Sequence, residues 1–218
     1  MLDVPLPNFW GKRLAFTPKQ FAVAANVSRE TLGRLKAYAD CLEQQQRIQN
    51  LVSRNTLPDL WYRHMLDSIQ LVEHIPRNAH SITDLGSGAG FPGLVLAIAT
   101  GIPTRLIDSN QRKCEFLRHV IDVTGAPATV SAERIEARTG ESGKFPVDIL
   151  TARAVAPLAK LCEMADFLRA GTSLLMKGAS WQEELTGVKK RWKMSLETFE
   201  SRTSQEGRIL RIRDLKSI

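Results

Sequence analysis

Apolar residues recur at spacings of three and four along the first third of the chain. Leu32, Leu35, Ala39 and Leu42 share one face, which predicts a helix from about Arg29 to Arg47 with Ser28 as its cap. A shorter helix precedes it, opened by Thr17 as cap and Pro18 at the first helical position, with Phe21, Ala24 and Ala25 inward. A third, from about Pro58 to Glu73, turns Trp61, Met65, Ile69 and Val72 to one side; residues 1–16, with Pro5, Pro7 and Gly11, read as irregular. From residue 81 short apolar runs alternate with helical ones. Ile82–Leu85, Thr104–Asp108, Ala128–Ala132, Val147–Thr151 and Ser173–Lys177 read as strands, and Pro92–Thr100, Asn110–Thr124 and about Pro157–Leu168 as helices. A polar segment to Lys144 interrupts the alternation after the third strand. The tail changes period again: Met194–Glu200 and Arg208–Asp214 are strand-like, and Leu210 and Ile212 alternate with Arg211 and Arg213 around a turn containing Glu206-Gly207.

This order predicts an α/β fold: a mostly parallel, Rossmann-like sheet with right-handed crossovers, helices on both faces and an antiparallel C-terminal hairpin. An N-terminal helical extension, 1–78, is expected to pack on a core of 79–218 as one structural domain.

Composition narrows the class. No apolar run approaches the ~20 residues of a membrane span, and the N-terminus has neither a basic nor an apolar signal region. Cys41, Cys114 and Cys162 are far apart and lack metal-ligand spacing, so a reduced, cytoplasmic protein without bound metal is expected; a monomer is expected separately. The net charge is +7, and its distribution is uneven. Residues 61–176 carry 12 Lys/Arg against 12 Asp/Glu, whereas 1–60 carry 8 against 5 and 177–218 carry 10 against 6. A neutral core with basic flanks suits a polyanionic partner such as RNA.

The chemistry concentrates in Asp84-Leu85-Gly86-Ser87-Gly88-Ala89-Gly90-Phe91-Pro92-Gly93, a strand end followed by four glycines and a helix. Gly88–Gly93 matches the dinucleotide pattern G-x-G-x-x-G, but Gly86 already closes the strand, and an acidic residue precedes it. Asp84-x-Gly86-x-Gly88-x-Gly90 fits instead the first motif of class I S-adenosylmethionine-dependent methyltransferases. A carboxylate here is compatible with a ligand that has an ammonium group and no pyrophosphate, and would repel a pyrophosphate. Gly86 and Gly88 then let the backbone approach the ligand. Asp108 ends the second strand, where it can take the ribose hydroxyls, its rival role being a helix cap shared with Ser109 or Asn110.

Together with its neighbours, this stretch resembles the bacterial methyltransferases that modify a guanine N7 in small-subunit ribosomal RNA, once called glucose-inhibited division protein B. The resemblance rests on Asn50-Leu51, Arg63-His64-Met65-Leu66-Asp67-Ser68, Asp84–Gly93, Asp108-Ser109, Lys113, Phe116-Leu117, Arg134-Ile135-Glu136, Ala152-Arg153-Ala154-Val155 and Lys177-Gly178. It implies that Gly86, Phe91, Ile135, Glu136 and Arg153 line an S-adenosylmethionine site and that the substrate is 16S ribosomal RNA, a small subunit or an assembly intermediate. One departure is that the family usually has a second basic residue beside Lys113, where this chain has Arg112 before it and Cys114 after.

His64, Asp67 and Ser68 fall on one helix face, able to line a base pocket or brace the cofactor loop, or else to fix the third helix to the sheet as a hydrogen-bonded patch. Arg153, Lys177, His64 and Asp67 are the candidate positioning residues, and Arg54, Arg63, Arg112, Lys113 and Lys177 the candidate RNA contacts. Guanine N7 has a lone pair and no proton, so the absence of an obvious acid/base pair suits this acceptor. The alternatives are a class I methyltransferase acting on protein or a small molecule, and a non-enzymatic nucleotide-binding scaffold.

Overall fold

The computed structural model describes residues 8–9, 12–13, 16–134 and 147–218; Ile135 and Glu136 therefore lie outside the described residues. A two-residue ribbon, β1 (Asn8–Phe9) with β2 (Lys12–Arg13), precedes α1 (Pro18–Ala25). Thr17 and Gln20 close a reciprocal capping box over the start of α1, and the Ser28 hydroxyl accepts from Thr31 N–H to open α2 (Arg29–Gln46). Next, residues 61–74 form one helical segment of changing pitch: wide over Trp61–Leu66, regular in α3 (Asp67–Ile69), and tight over Gln70–His74. The uniform third helix expected from the apolar spacing is thus replaced by a widened turn at His64, a form that often accompanies functional sites.

Among the described residues the sheet has seven strands: β3 (Ile82–Leu85), β4 (Thr104–Asp108), β5 (Ala128–Ala132), β6 (Ile149–Arg153), β7 (Thr172–Lys177), β8 (Trp192–Glu200) and β9 (Arg208–Ser217). Their order is β5-β4-β3-β6-β7-β9-β8, parallel through β7 and antiparallel in the last two. Among the described residues, three helices connect the parallel strands: α4 (Gly93–Thr100), α5 (Gln111–Thr124) and α6 (Leu158–Phe167). A further helix, α7 (Trp181–Val188), is not foreshadowed by the apolar pattern; it has only Leu185 and Val188 buried and contains Gly187, so its periodicity is faint. The fourth parallel strand runs two residues later than expected because Ile82 pairs with Ile149 and Leu85 with Ala152, leaving Val147 and Asp148 before the ladder.

Leu35, Tyr38 and Leu42 of α2 share one cluster with Leu94 and Val95 of α4 and Phe116 and Leu117 of α5. Burial of each such leucine contributes about 1.5–3 kcal/mol. On the other face, α6 and α7 cover Leu150, Leu175 and Leu210. The chain leaves β3 toward β4 on one side and later returns to β6 on the other. The carboxyl ends of β3 and β6 therefore flank the reversal of strand order, where open α/β sheets hold ligands.

Candidate active site

A cleft of about 430 Å³ opens at this reversal, in the size range of small-molecule sites. Its floor is the glycine turn after β3. Gly86 (φ 62°) and Gly88 (φ 58°) are left-handed, a backbone form that other residues adopt only at a cost. Val155, from the turn after β6, lies directly on Gly86: a Cβ there would come 2.0 Å from Val155 Cγ2. The first glycine is therefore required by both conformation and space.

Asp84 is fully buried beneath the turn and does not line the cleft. Its Oδ1 accepts the Thr151 hydroxyl at 2.7 Å, while Oδ2 has no hydrogen-bond partner among the described residues. Burial raises its pKa to about 6, against the opposing hydrogen bond from Thr151. Asp108, at the end of β4, accepts Gly88 N–H at 2.8 Å through Oδ2 and Asn110 N–H at 2.8 Å through Oδ1. Asn110, not Asp108, caps α5, its side chain accepting from Lys113 N–H. Asp108 thus sets the pose of the second glycine.

Phe91 sits at the centre of the wall, 4% exposed. Its ring stacks on Tyr38 at 5.3 Å, packs beside His64 at 5.0 Å, and lies 5.1 Å below the Arg153 guanidinium. Tyr38, which belongs to no motif, donates its hydroxyl to the Ala89 carbonyl at 2.5 Å and so ties α2 to the glycine turn. A tyrosine on an otherwise apolar helix face is the signal that could have found it, since a buried phenol needs a hydrogen-bond partner.

Arg153, the last residue of β6, gathers the 61–74 segment. It donates to Asp67 Oδ2 at 3.0 Å, to the Arg63 carbonyl at 3.2 Å and to His64 Nδ1 at 2.9 Å. For His64 to accept there it must be neutral, and burial, followed by the nearby Arg153 and Arg63 charges, holds its pKa down at about 3. Its Nε2 is 2.8 Å from the Thr56 hydroxyl. Asp67 also takes the Thr203 hydroxyl and, at 3.0 Å, the Gln70 amide on Oδ1. Ser68 is not part of this cluster: it is fully buried and its hydroxyl has no partner among the described residues.

Lys177 lines the cleft, yet its ammonium lies 2.7 Å from Glu184 Oε2 and donates to the Ala156 carbonyl at 3.1 Å. Burial works to raise the Glu184 carboxyl, but Lys177, Leu158 N–H and the Ser180 hydroxyl outweigh it and leave the pKa lowered. Among the RNA candidates, Arg63 borders the cleft and Arg54 is exposed on the loop beside it. Arg112 instead opens on a separate groove with Gln45, Ile48 and His119, and Lys113 is half-buried at the start of α5. The C-terminal turn between β8 and β9 also borders the cleft, through Ser201, Thr203, Ser204 and Gly207. No motif or periodicity in the chain points to that wall.

A family model described as rRNA small subunit methyltransferase G (GidB) matches residues 31–210. The chain belongs to this family. A curated rRNA small subunit methyltransferase G of Rhodospirillum rubrum is 46% identical over 202 residues, covering 91% of this chain and 98% of that protein. The one of Gluconobacter oxydans is 48% identical over 194 residues, covering 88% and 98%. The span matched to the methyltransferase G family contains every cleft-lining residue, from Leu51 to Ile209. Among solved structures, the fold is similar to a mutant of MtNAS in complex with S-adenosylmethionine, at TM-score 0.54 and 13% identity over 90% of this chain and 77% of that one. It is also similar to a TehB-like SAM-dependent methyltransferase from Corynebacterium glutamicum, at TM-score 0.53 and 15% identity over 80% and 98%. At these identities the likeness concerns the fold alone, which is that of the class I methyltransferases.

Proposed function

We propose that the protein transfers a methyl group from S-adenosylmethionine to N7 of a guanine in small-subunit ribosomal RNA. The family assignment makes it an S-adenosylmethionine-dependent rRNA methyltransferase. The observation that supports the finer reading is one cleft joining a left-handed glycine turn to His64 and Asp67, the two acid/base candidates on its wall, both engaged by Arg153.

The residues fit the donor. Gly86 and Gly88 leave the turn without side chains on the cleft side of β3, and Phe91 with Arg153 form a wall that is apolar in body and cationic at its rim. Ile135 and Glu136 complete this set as the family resemblance implies. Bound there, S-adenosylmethionine supplies a methyl group already activated on a sulfonium.

What remains for the protein is orientation, because N7 presents a lone pair without deprotonation. His64 is neutral, with Nδ1 facing Arg153 and Nε2 facing Thr56, and Asp67 is paired with Arg153. Neither is poised to take a proton. Holding reactants in line can supply up to ~7–11 kcal/mol. Arg63, bordering the cleft, and exposed Arg54 supply charge for phosphates, and the substrate is 16S ribosomal RNA, either by itself or as part of a small subunit or an assembly intermediate. The enzyme is proposed to act as a cytoplasmic monomer.

Purified protein, labelled methyl donor and small-subunit RNA should yield 7-methylguanosine on nucleoside analysis. Label confined to another nucleotide, or to protein after RNase treatment, would refute this reading.

A further inference from the structure

The C-terminal turn lies far along the chain from the 61–74 segment, yet the two are joined at several points, by pairs 129 to 140 residues apart. Tyr62 donates its hydroxyl to the Arg202 carbonyl at 3.0 Å, and Arg202 N–H donates to Gln70 Oε1 at 2.9 Å. Between these clamps, Thr203 is 6% exposed and directs its hydroxyl to Asp67 Oδ1. Asp67 faces the other way with Oδ2, which takes Arg153 at 3.0 Å. The result is a line of contacts from the turn to the guanidinium that lies over Phe91.

We propose that Thr203 is a positioning residue for Arg153, acting through Asp67. The inference rests on the reading above that this cleft holds the methyl donor. A carboxylate can rotate about its last torsion, a broad one for aspartate. Thr203 and Gln70 both hold Oδ1, which leaves Oδ2 as the atom presented to Arg153. Of these two, only Thr203 sits on the cleft, so it links the C-terminal wall of the cleft to the cation that lies over Phe91.

Thr203 acts at a distance from the glycine turn; the chain of contacts runs Thr203, Asp67, Arg153. Removing the hydroxyl therefore acts on the donor site at second hand. Thr203→Val keeps the side-chain shape and removes the hydroxyl, which also ends its 3.1 Å contact with the Ser201 hydroxyl.

The test uses isothermal calorimetry with S-adenosylmethionine, and methylation kinetics, on the whole protein. Thr203→Val should weaken S-adenosylmethionine binding about tenfold and raise its KM accordingly, with kcat changed less than about twofold, and Thr203→Ser should restore both. In an Arg153→Lys background, Thr203→Val should add no further loss, because its effect passes through Arg153. Wild-type affinity unmoved by Thr203→Val, or a full additional loss in the Arg153→Lys background, would overturn the role of Thr203 while leaving the functional reading intact. Absence of S-adenosylmethionine binding by the wild-type protein would overturn both.

Discussion

Asp84 is the most informative single position to perturb. Its carboxyl is wholly buried, its Oδ2 has no partner among the described residues, and its pKa stands at about 6 in the folded protein against an ordinary 3.8. Between those two values the folded chain keeps a proton that the unfolded chain has released. A group raised in this way favours the fold below pH 3.8 and loses that contribution as pH climbs through 6. Two pKa units at about 1.4 kcal/mol each make the total close to ~3 kcal/mol, of which about 2 kcal/mol falls between about pH 4.5 and 7.5. Asp84→Asn is neutral throughout, and its carbonyl can still accept the Thr151 hydroxyl. Urea unfolding of both proteins, followed by tryptophan fluorescence, should show the stability of Asn relative to Asp rising by about 2 kcal/mol from about pH 4.5 to 7.5. Contributions from other titrating groups cancel in this difference. A gap that stays constant across the range, or one that narrows as pH rises, would refute the buried, partnerless carboxyl.

Three further outcomes follow from the same geometry. Gly86→Val must enter the space of Val155 from a left-handed backbone, so calorimetry should show S-adenosylmethionine binding lost while far-UV circular dichroism stays near wild type; retained affinity would sink the glycine-turn assignment. Tyr38→Phe deletes the hydrogen bond to the Ala89 carbonyl and should cost about 1–2 kcal/mol, read as a melting temperature lower by about 2–8 °C, and an unchanged value would disprove the tie. Lys177→Met leaves Glu184 without its ammonium partner and should destabilise the protein by about 1–3 kcal/mol, while the salt dependence of RNA binding keeps its slope. A slope shallower by about one would instead place this charge on a phosphate.

Legibility in the sequence followed how local the signal was. Ile82–Leu85, Thr104–Asp108 and Ala128–Ala132 were readable to the residue, because short apolar runs stand between glycine, proline and polar segments. The Thr17 and Ser28 caps were equally plain, each being a side chain answering an N–H three residues on. Ile149–Arg153 was displaced by two residues because register depends on pairing with β3, a partner more than sixty residues away. The motif located the glycine turn but not the depth of Asp84, which Gly93 and Leu106 pack over. Grouping His64 with Asp67 was possible from helical spacing, but the arginine that joins them comes from another strand. Tyr38 and Thr203 stayed hidden for the same reason: each is an ordinary residue whose role is assigned by what the fold brings opposite it.

The placement of β9 has a consequence for how the molecule comes into being. β9 lies between β7 and β8, so β8, made earlier, has no seat on the sheet until β9 arrives to pair with both. The turn that walls the cleft and carries Thr203 connects these two strands. During synthesis the glycine turn and the parallel strands that carry it can therefore assemble early, whereas the wall formed by Ser201, Thr203, Ser204 and Gly207 waits for the final strand. A chain truncated before Arg208 would leave β7 with an open edge and the turn that walls the cleft without the strand that seats it. Completion of the cleft is thereby coupled to delivery of the last strand, and a premature stop there would leave Asp67 held by Gln70 and Arg153 but without the Thr203 hydroxyl seated on it.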